Sequence, residues 1–265
     1  MKQLETLSIV APGFYGLNTQ ESGSTLSPNF SLVADNVIID RFGRLGARQG
    51  WEMLTDDGAT ELDDNPLRVI LEHVNADNSS TFLSAGNLKL FSGGVDDVLT
   101  DITPALYTIT DNDWQAATLY DHAIFVQEGH EPVIYSEAAS PVSQTITDYT
   151  SSAQNFSTSY PKGVIAAYGR FWSFNGTTVY WSTDIADTAF PCFCGGTSGV
   201  LNIASVLPNN TDEITALAVH NDLLVIFCKN NVVIYGGANN PIGESFGLKD
   251  IIVGIGCAAP RSVQA

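Results

Sequence analysis

The chain has 265 residues, 44% of them hydrophobic, enough to build a core and to exclude a disordered segment. Only 15% are charged, and 29 acidic against 11 basic residues leave a formal net charge of −18. That balance excludes a protein that grips nucleic acid through a broad basic surface, because such binding works by neutralising phosphates. Lys, Arg and Glu are scarce while Thr, Ser, Asn, Gly, Val and Ile abound, a composition that predicts an all-β fold rich in turns.

In chain order, the N-terminus carries one lysine before Glu5, and its apolar stretch breaks at Pro12-Gly13, unlike a secretory leader. Residues 11–29 form a Gly/Ser/Pro-rich arm without period, and residues 1–30, lacking a periodic apolar face, are expected to be extended and ordered mainly by contact with a neighbour. Asp35 to Trp51 reads as a hairpin with its turn at Asp40 to Gly43. Arg41, Arg44 and Arg48 place three of the eleven positive charges within eight residues. Their guanidinium forks suit either an acidic neighbouring subunit or the chain's own acidic run from Asp56 to Asp64. Residues 1–60 are therefore expected to form a docking arm and hairpin, separate from residues 61–265.

From residue 81 onward a plan repeats four times: an apolar β-type run, a polar break, then a short run ending on an aromatic and small residues. The copies lie at 81–93, 118–136, 166–182 and 216–236, and the anchors Phe91, Tyr135, Tyr180 and Tyr235 are 44, 45 and 55 residues apart. A four-stranded propeller blade has this length, about 40–50 residues, and the even spacing favours blades over a sandwich of hairpins. The breaks Ala85-Gly86-Asn87, Glu128-Gly129-His130, Asn175-Gly176-Thr177 and Lys229-Asn230-Asn231 supply turn residues that accept positive φ. Ser136 to Lys162 reads as a polar loop with an edge strand at Gln144 to Tyr149, and Ile251 to Ser262 as the opening of a further unit. Blades that do not close within this chain, as part of a larger architecture, are expected. No apolar run approaches the roughly twenty residues of a membrane helix, so membrane insertion is not expected.

The motifs Ala11-Pro12-Gly13-Phe14-Tyr15-Gly16-Leu17-Asn18, Leu26-Ser27-Pro28, Ala34-Asp35-Asn36 and Gly43-Arg44-Leu45-Gly46-Ala47-Arg48-Gln49-Gly50-Trp51 stand in that order. This series resembles the opening of the tail nozzle, or hub, of short-tailed bacteriophages, the tail tubular protein B or packaged-DNA stabilisation protein family. The run Leu223 to Gly237 and Gly256 to Ser262 resemble the same family. Its members usually run well beyond the length of this chain. The resemblance implies a non-enzymatic virion protein, made in the host cytoplasm, with an N-terminal arm and propeller-like β-units. It implies a homohexameric ring below the portal and adaptor, contacts with tail fibre or spike proteins, and genomic DNA retained by the ring and then ejected through it. On that reading Arg41, Arg44, Arg48 and Trp51 are candidates for the subunit or adaptor interface. Asp96, Asp97, Asp111 and Asp113 are candidates for the lining or rim of the DNA channel, where acidic groups repel the duplex.

The alternative is a carbohydrate-binding or carbohydrate-cleaving propeller. Ser182-Thr183-Asp184 partly matches the Asp-box turn of sialidases, but Ala186 and Ala189 replace its Gly and Trp, and only Arg170 lies near. The pairs Asp56-Asp57, Asp63-Asp64 and Asp96-Asp97 are adjacent, so in strands their carboxylates diverge rather than flank a glycosidic bond. The histidines at 73, 122, 130 and 220 show no metal spacing; His122 and His220 read as turn residues beside Asp121 and Asn221. Asp111-Asn112-Asp113 lacks a glycine-turned calcium loop with a distal Glu. Cys192, Cys194, Cys228 and Cys257 read as free core residues of a reducing compartment, and no cofactor motif is present.

Overall fold

The computed structural model describes residues 15–27, 29–39, 41, 44–48, 65–75, 77–93, 99–104, 113–130, 132–136, 144–145, 160–184, 191–193, 196–208 and 212–263. The chain divides into two compact units, Met1–Met53 and Leu54–Ala265.

In the first unit, β1 (Gly16–Leu17) pairs in parallel with β2 (Phe30–Ser31). Tyr15 N donates to Asn29 O at 2.8 Å, and the Tyr15 and Phe30 rings lie 5.9 Å apart. From Tyr15 onward the arm thus folds back on itself instead of running extended. The connection that brings the chain back to run parallel turns at Ser22 to Thr25, where Thr25 N donates to Ser22 O at 2.9 Å and hydroxyls add further bonds, and again before β2, where Phe30 N donates to Ser27 O at 3.0 Å. The expected hairpin follows as β3 (Val37–Ile39) and β4 (Leu45–Ala47), antiparallel with Ile39 opposite Leu45.

The second unit holds four four-stranded sheets, each an antiparallel meander. The first is β5 (Leu67–Val74), β6 (Ser80–Gly86), β7 (Lys89–Gly93) and β8 (Thr100–Asp101). The second is β9 (Trp114–Leu119), β10 (His122–Gln127), β11 (Val133–Ser136) and β12 (Gln144–Thr145). The third is β13 (Gly163–Ala167), β14 (Arg170–Asn175), β15 (Thr178–Trp181) and β16 (Gly199–Asn202). The fourth is β17 (Ile214–His220), β18 (Leu223–Cys228), β19 (Asn231–Gly236) and β20 (Gly247–Val253). The first strand of each sheet neighbours that of the next, in the row β5, β9, β13, β17. The fold is all-β, and its sheets are blades of the propeller type. Among the described residues no helix is long and apolar enough to cross a membrane.

Local chemistry explains the meanders. In sheets two to four the first hairpin closes with a two-residue turn, Tyr120-Asp121, Tyr168-Gly169 or Asn221-Asp222. Tyr168 (φ 53°) with Gly169 (φ 69°), and Asn221 (φ 46°) with Asp222 (φ 62°), take the left-handed pair of conformations that matches strand twist. The second hairpins are less uniform than their sequences suggest. Gly129 and Gly176 have the expected positive φ, but the first sheet uses Asn87 and Leu88 instead of Gly86, and neither Asn230 nor Asn231 has positive φ.

Each inner sheet is buried on both faces, which we call leading (toward the preceding sheet) and trailing (toward the following one). Leu83, Ala85 and Leu90 of the first sheet meet Trp114, Phe125 and Tyr135 of the second. Ile124, Val126 and Ile134 meet Val164, Phe171 and Tyr180 of the third, and Trp172, Phe174 and Trp181 meet Leu217, Leu224 and Ile226 of the fourth. The anchors Phe91, Tyr135, Tyr180 and Tyr235 all lie on the third strand and on the leading face, paired with Ser84, Ala123, Ser173 and Leu224. Ile124, Leu224 and Ile226 are fully buried, whereas Leu119 and Val219, at the ends of first strands, are half-buried.

Candidate functional site

The candidate docking surface is the β3–β4 hairpin. Two three-residue strands cannot bury a face, and a lone two-stranded hairpin is marginal in water. Val37, Ile38 and Leu45 are accordingly exposed. Arg41 lies in the turn, Arg44 just before β4 and Arg48 just after it, all exposed; Arg48 N donates to Asn36 O at 2.8 Å and ties the open end of the hairpin. The hairpin thus brings three guanidinium groups into one stretch with three exposed aliphatic side chains. Val37 and Leu45 share one face of this ladder and Ile38 lies on the other; exposed aliphatic side chains close to arginines match what protein interfaces enrich. Trp51 lies outside the described residues.

Of the acidic candidates, Asp96, Asp97 and Asp111 lie outside the described residues. Asp113 is exposed at the start of β9 and forms an ion pair with Arg261 of the 3-10 turn Pro260–Ser262. Nothing along the chain hints at that partner, 148 residues away. Near this turn, the first strands enclose a cavity of about 140 Å³ lined by Gln115, Ile165, Phe174, Thr215, Leu217 and Arg261. It is small beside the roughly 300–1,000 Å³ of small-molecule sites. Thr215 Oγ1 is committed to backbone carbonyls, donating to Cys257 O at 2.8 Å and reaching Phe227 O at 3.2 Å.

Arg170, the arginine beside the sialidase-like turn, is buried. It donates to Ser182 O and Thr197 O, both at 2.9 Å, and forms an ion pair with Asp184 at 3.3 Å. Ser182 Oγ accepts from Phe171 N at 3.0 Å, and Thr183 Oγ1 from Cys192 N at 3.0 Å. The motif is therefore a turn bonded into its own blade. Among the described residues no group of His, Cys, Asp or Glu has the arrangement of a metal site.

The histidines scatter by role. His73 is buried edge-on to Tyr135, with ring centres 5.6 Å apart, and His122 opens β10 in the interior. His220 is exposed at the end of β17, within 2.9 Å of Asn221 Nδ2, so His122 and His220 flank their turns from opposite sides. The cysteines also divide. Cys228 is a buried thiol whose pKa burial pushes up to about 12, with the Asp212 charge adding to the effect, so it is inert. Cys257 is free and half-buried, but Cys192 is disulfide-bonded, contrary to the reading of all four as free thiols.

The most elaborate polar group was missed from sequence. Asp212, just before β17, is buried and accepts from Asn231 Nδ2 at 2.6 Å and from Asn230 N and Glu213 N, both at 3.0 Å. Burial by itself would raise its pKa, but these bonds together hold it below the ordinary aspartate value. The carboxylate does for the Asn230 turn what positive φ does in the other blades. Only the β17–β18–β19 register brings the two segments together, so spacing along the chain carried no signal.

No family model matches the chain, and no curated protein matches it. A solved structure described as YCF48 bound to D1 peptide is similar over 71% of this chain and 57% of that one, at 12% identity and a TM-score of 0.38. The chain thus spans a little over half the length of that neighbour.

Proposed function

We propose that this chain is a structural protein of a short-tailed phage tail, assembling as a ring through which genomic DNA is retained and then ejected. The observation that carries the proposal is the hairpin. The stretch bearing the ordered tail-protein motifs is also the one exposing Val37, Ile38 and Leu45 beside Arg41, Arg44 and Arg48. In this reading the first unit docks a neighbouring subunit or the tail adaptor, and the blades form the wall. Acidic groups of the second unit keep the duplex from adhering, while the arginines serve protein contacts. The internal bonds of Arg170 lend no support to the carbohydrate reading.

The test is charge reversal at R41E, R44E and R48E together, with light scattering and electron imaging. Wild type is expected to form rings, and the triple variant to remain unassembled while still melting cooperatively. Assembly of the variant as in wild type would remove the docking role.

A further inference from the structure

We propose that the side of the β3–β4 hairpin bearing Ile38 docks, with its arginines, on the acidic second unit of another copy of this chain, and that this contact completes the folding of the first unit. The proposal rests on the docking role given to the hairpin above and commits it to one partner.

The first unit lacks an interior. Among its described residues none is buried. Tyr15, Leu17, Val33, Ile38 and Leu45 are exposed, Tyr15 and Val33 by 67% and Ile38 by 52%. Two sheets of two short strands each bury too little apolar surface to offset the entropy of ordering them. A unit of this kind draws its stability from a surface outside itself.

The two sides of the hairpin differ in chemistry. Val37, Leu45 and Ala47 share one side. Ile38 pairs with Gly46 on the other, and Arg44 and Arg48 stand two residues to either side of that glycine. Arg48 N, donating to Asn36 O, carries the ladder one pair further and so keeps Arg48 on the Ile38 side. This side fits a surface that offers carboxylates around an apolar contact. A guanidinium has five N–H donors, so a partner within its own chain leaves donors for a carboxylate of another.

Charge selects the partner. Residues 1–53 carry four basic and five acidic groups, whereas residues 54–265 carry seven basic and 24 acidic ones. The second unit therefore holds a net charge of −17 out of the chain's −18. The second unit of another copy presents carboxylates to the arginines; the first unit of another copy, close to neutral, does not. Such complementarity steers the encounter and fixes the partner. Because the hairpin and its target are different surfaces, each copy gives one hairpin and receives another. A contact of that kind is heterologous and generates closed rings or open filaments instead of two-fold dimers.

The test is photo-crosslinking in the full-length protein. Ile38→p-benzoylphenylalanine is introduced into unlabelled chains, at a side chain so exposed that the fold tolerates the change. These chains are mixed dilute with wild type labelled with heavy nitrogen, concentrated, irradiated and digested for mass spectrometry, with melting curves to verify folding. Crosslinks from position 38 to labelled peptides of residues 54–265 are expected, and they are expected to disappear when R44E and R48E are added to the unlabelled chain. Crosslinks that survive those reversals overturn the proposal, because charge then does not select the partner. Crosslinks confined to the variant's own chain or to labelled peptides of residues 1–53 also overturn it, as does their complete absence; if imaging still shows rings, the ring reading stands. If wild type is monomeric at every concentration, both fall.

Discussion

Asp212 shows how one buried carboxylate can replace a turn conformation. Replacing it with Ala leaves Asn230 N and the Asn231 amide without their acceptor, at a cost of about 1–3 kcal/mol. Because its folded-state pKa lies below the unfolded value, Asp212 contributes stability above the unfolded pKa, near 4, and that contribution is lost as pH falls toward the folded value. Urea midpoints of wild type and D212A are therefore expected to differ at pH 7 and to converge in acid. Constant separation down to low pH would remove the electrostatic part of this account. Two glycines offer a paired comparison. A Cβ at Gly169 (φ 69°) meets Asp184 Oδ1 at 3.0 Å, a carboxylate that Arg170 holds, whereas one at Gly129 (φ 83°) meets open space. Gly169→Ala is expected to lose more than about 1 kcal/mol and to exceed the loss at Gly129→Ala, where only the backbone resists. Equal losses in thermal melts would show that Asp184 yields.

At the scale of elements, sequence periodicity is a good guide to the second and third strands of the blades, most of all in the two inner sheets, where those strands are buried on both faces. Phe91, Tyr135, Tyr180 and Tyr235 fall in third strands on one face. First strands were harder to read. In β5 the alternation of exposed Arg68, Ile70, Glu72 and Val74 with half-buried Leu67, Val69 and Leu71 and buried His73 falls outside the repeated segments, and Tyr120 and Tyr168 occupy turn positions usually given to Gly or Asn. The fold-back of β1 on β2 was illegible because two-residue strands have no period. The interaction of Arg261 with Asp113, and of Asp212 with Asn230 and Asn231, depends on register and was equally hidden. Packing makes the sheet–sheet layers unequal in cost. Trp172→Ala, between the third and fourth sheets, is expected to lose about 3–5 kcal/mol in urea unfolding. Leu248→Ala on the exposed edge strand is expected to change stability by about 0.5 kcal/mol or less. Similar losses at the two positions would contradict the layered core.

For the whole molecule, charge and assembly have to be considered together. Each phosphate neutralised by Lys or Arg adds salt-sensitive affinity, so a conduit with many such contacts would stall its cargo. A net charge of −18 instead repels a duplex within a Debye length, about 8 Å at physiological salt. Gel-shift titration with duplex DNA is expected to show no tight complex even at low salt; tight, salt-sensitive binding would refute a sliding wall. The measurement that tests the central claim most directly is electron imaging of the purified full-length protein. The account predicts closed rings with a central opening wide enough for a duplex, about 20 Å. Isolated monomers, or compact dimers without an opening, would contradict it.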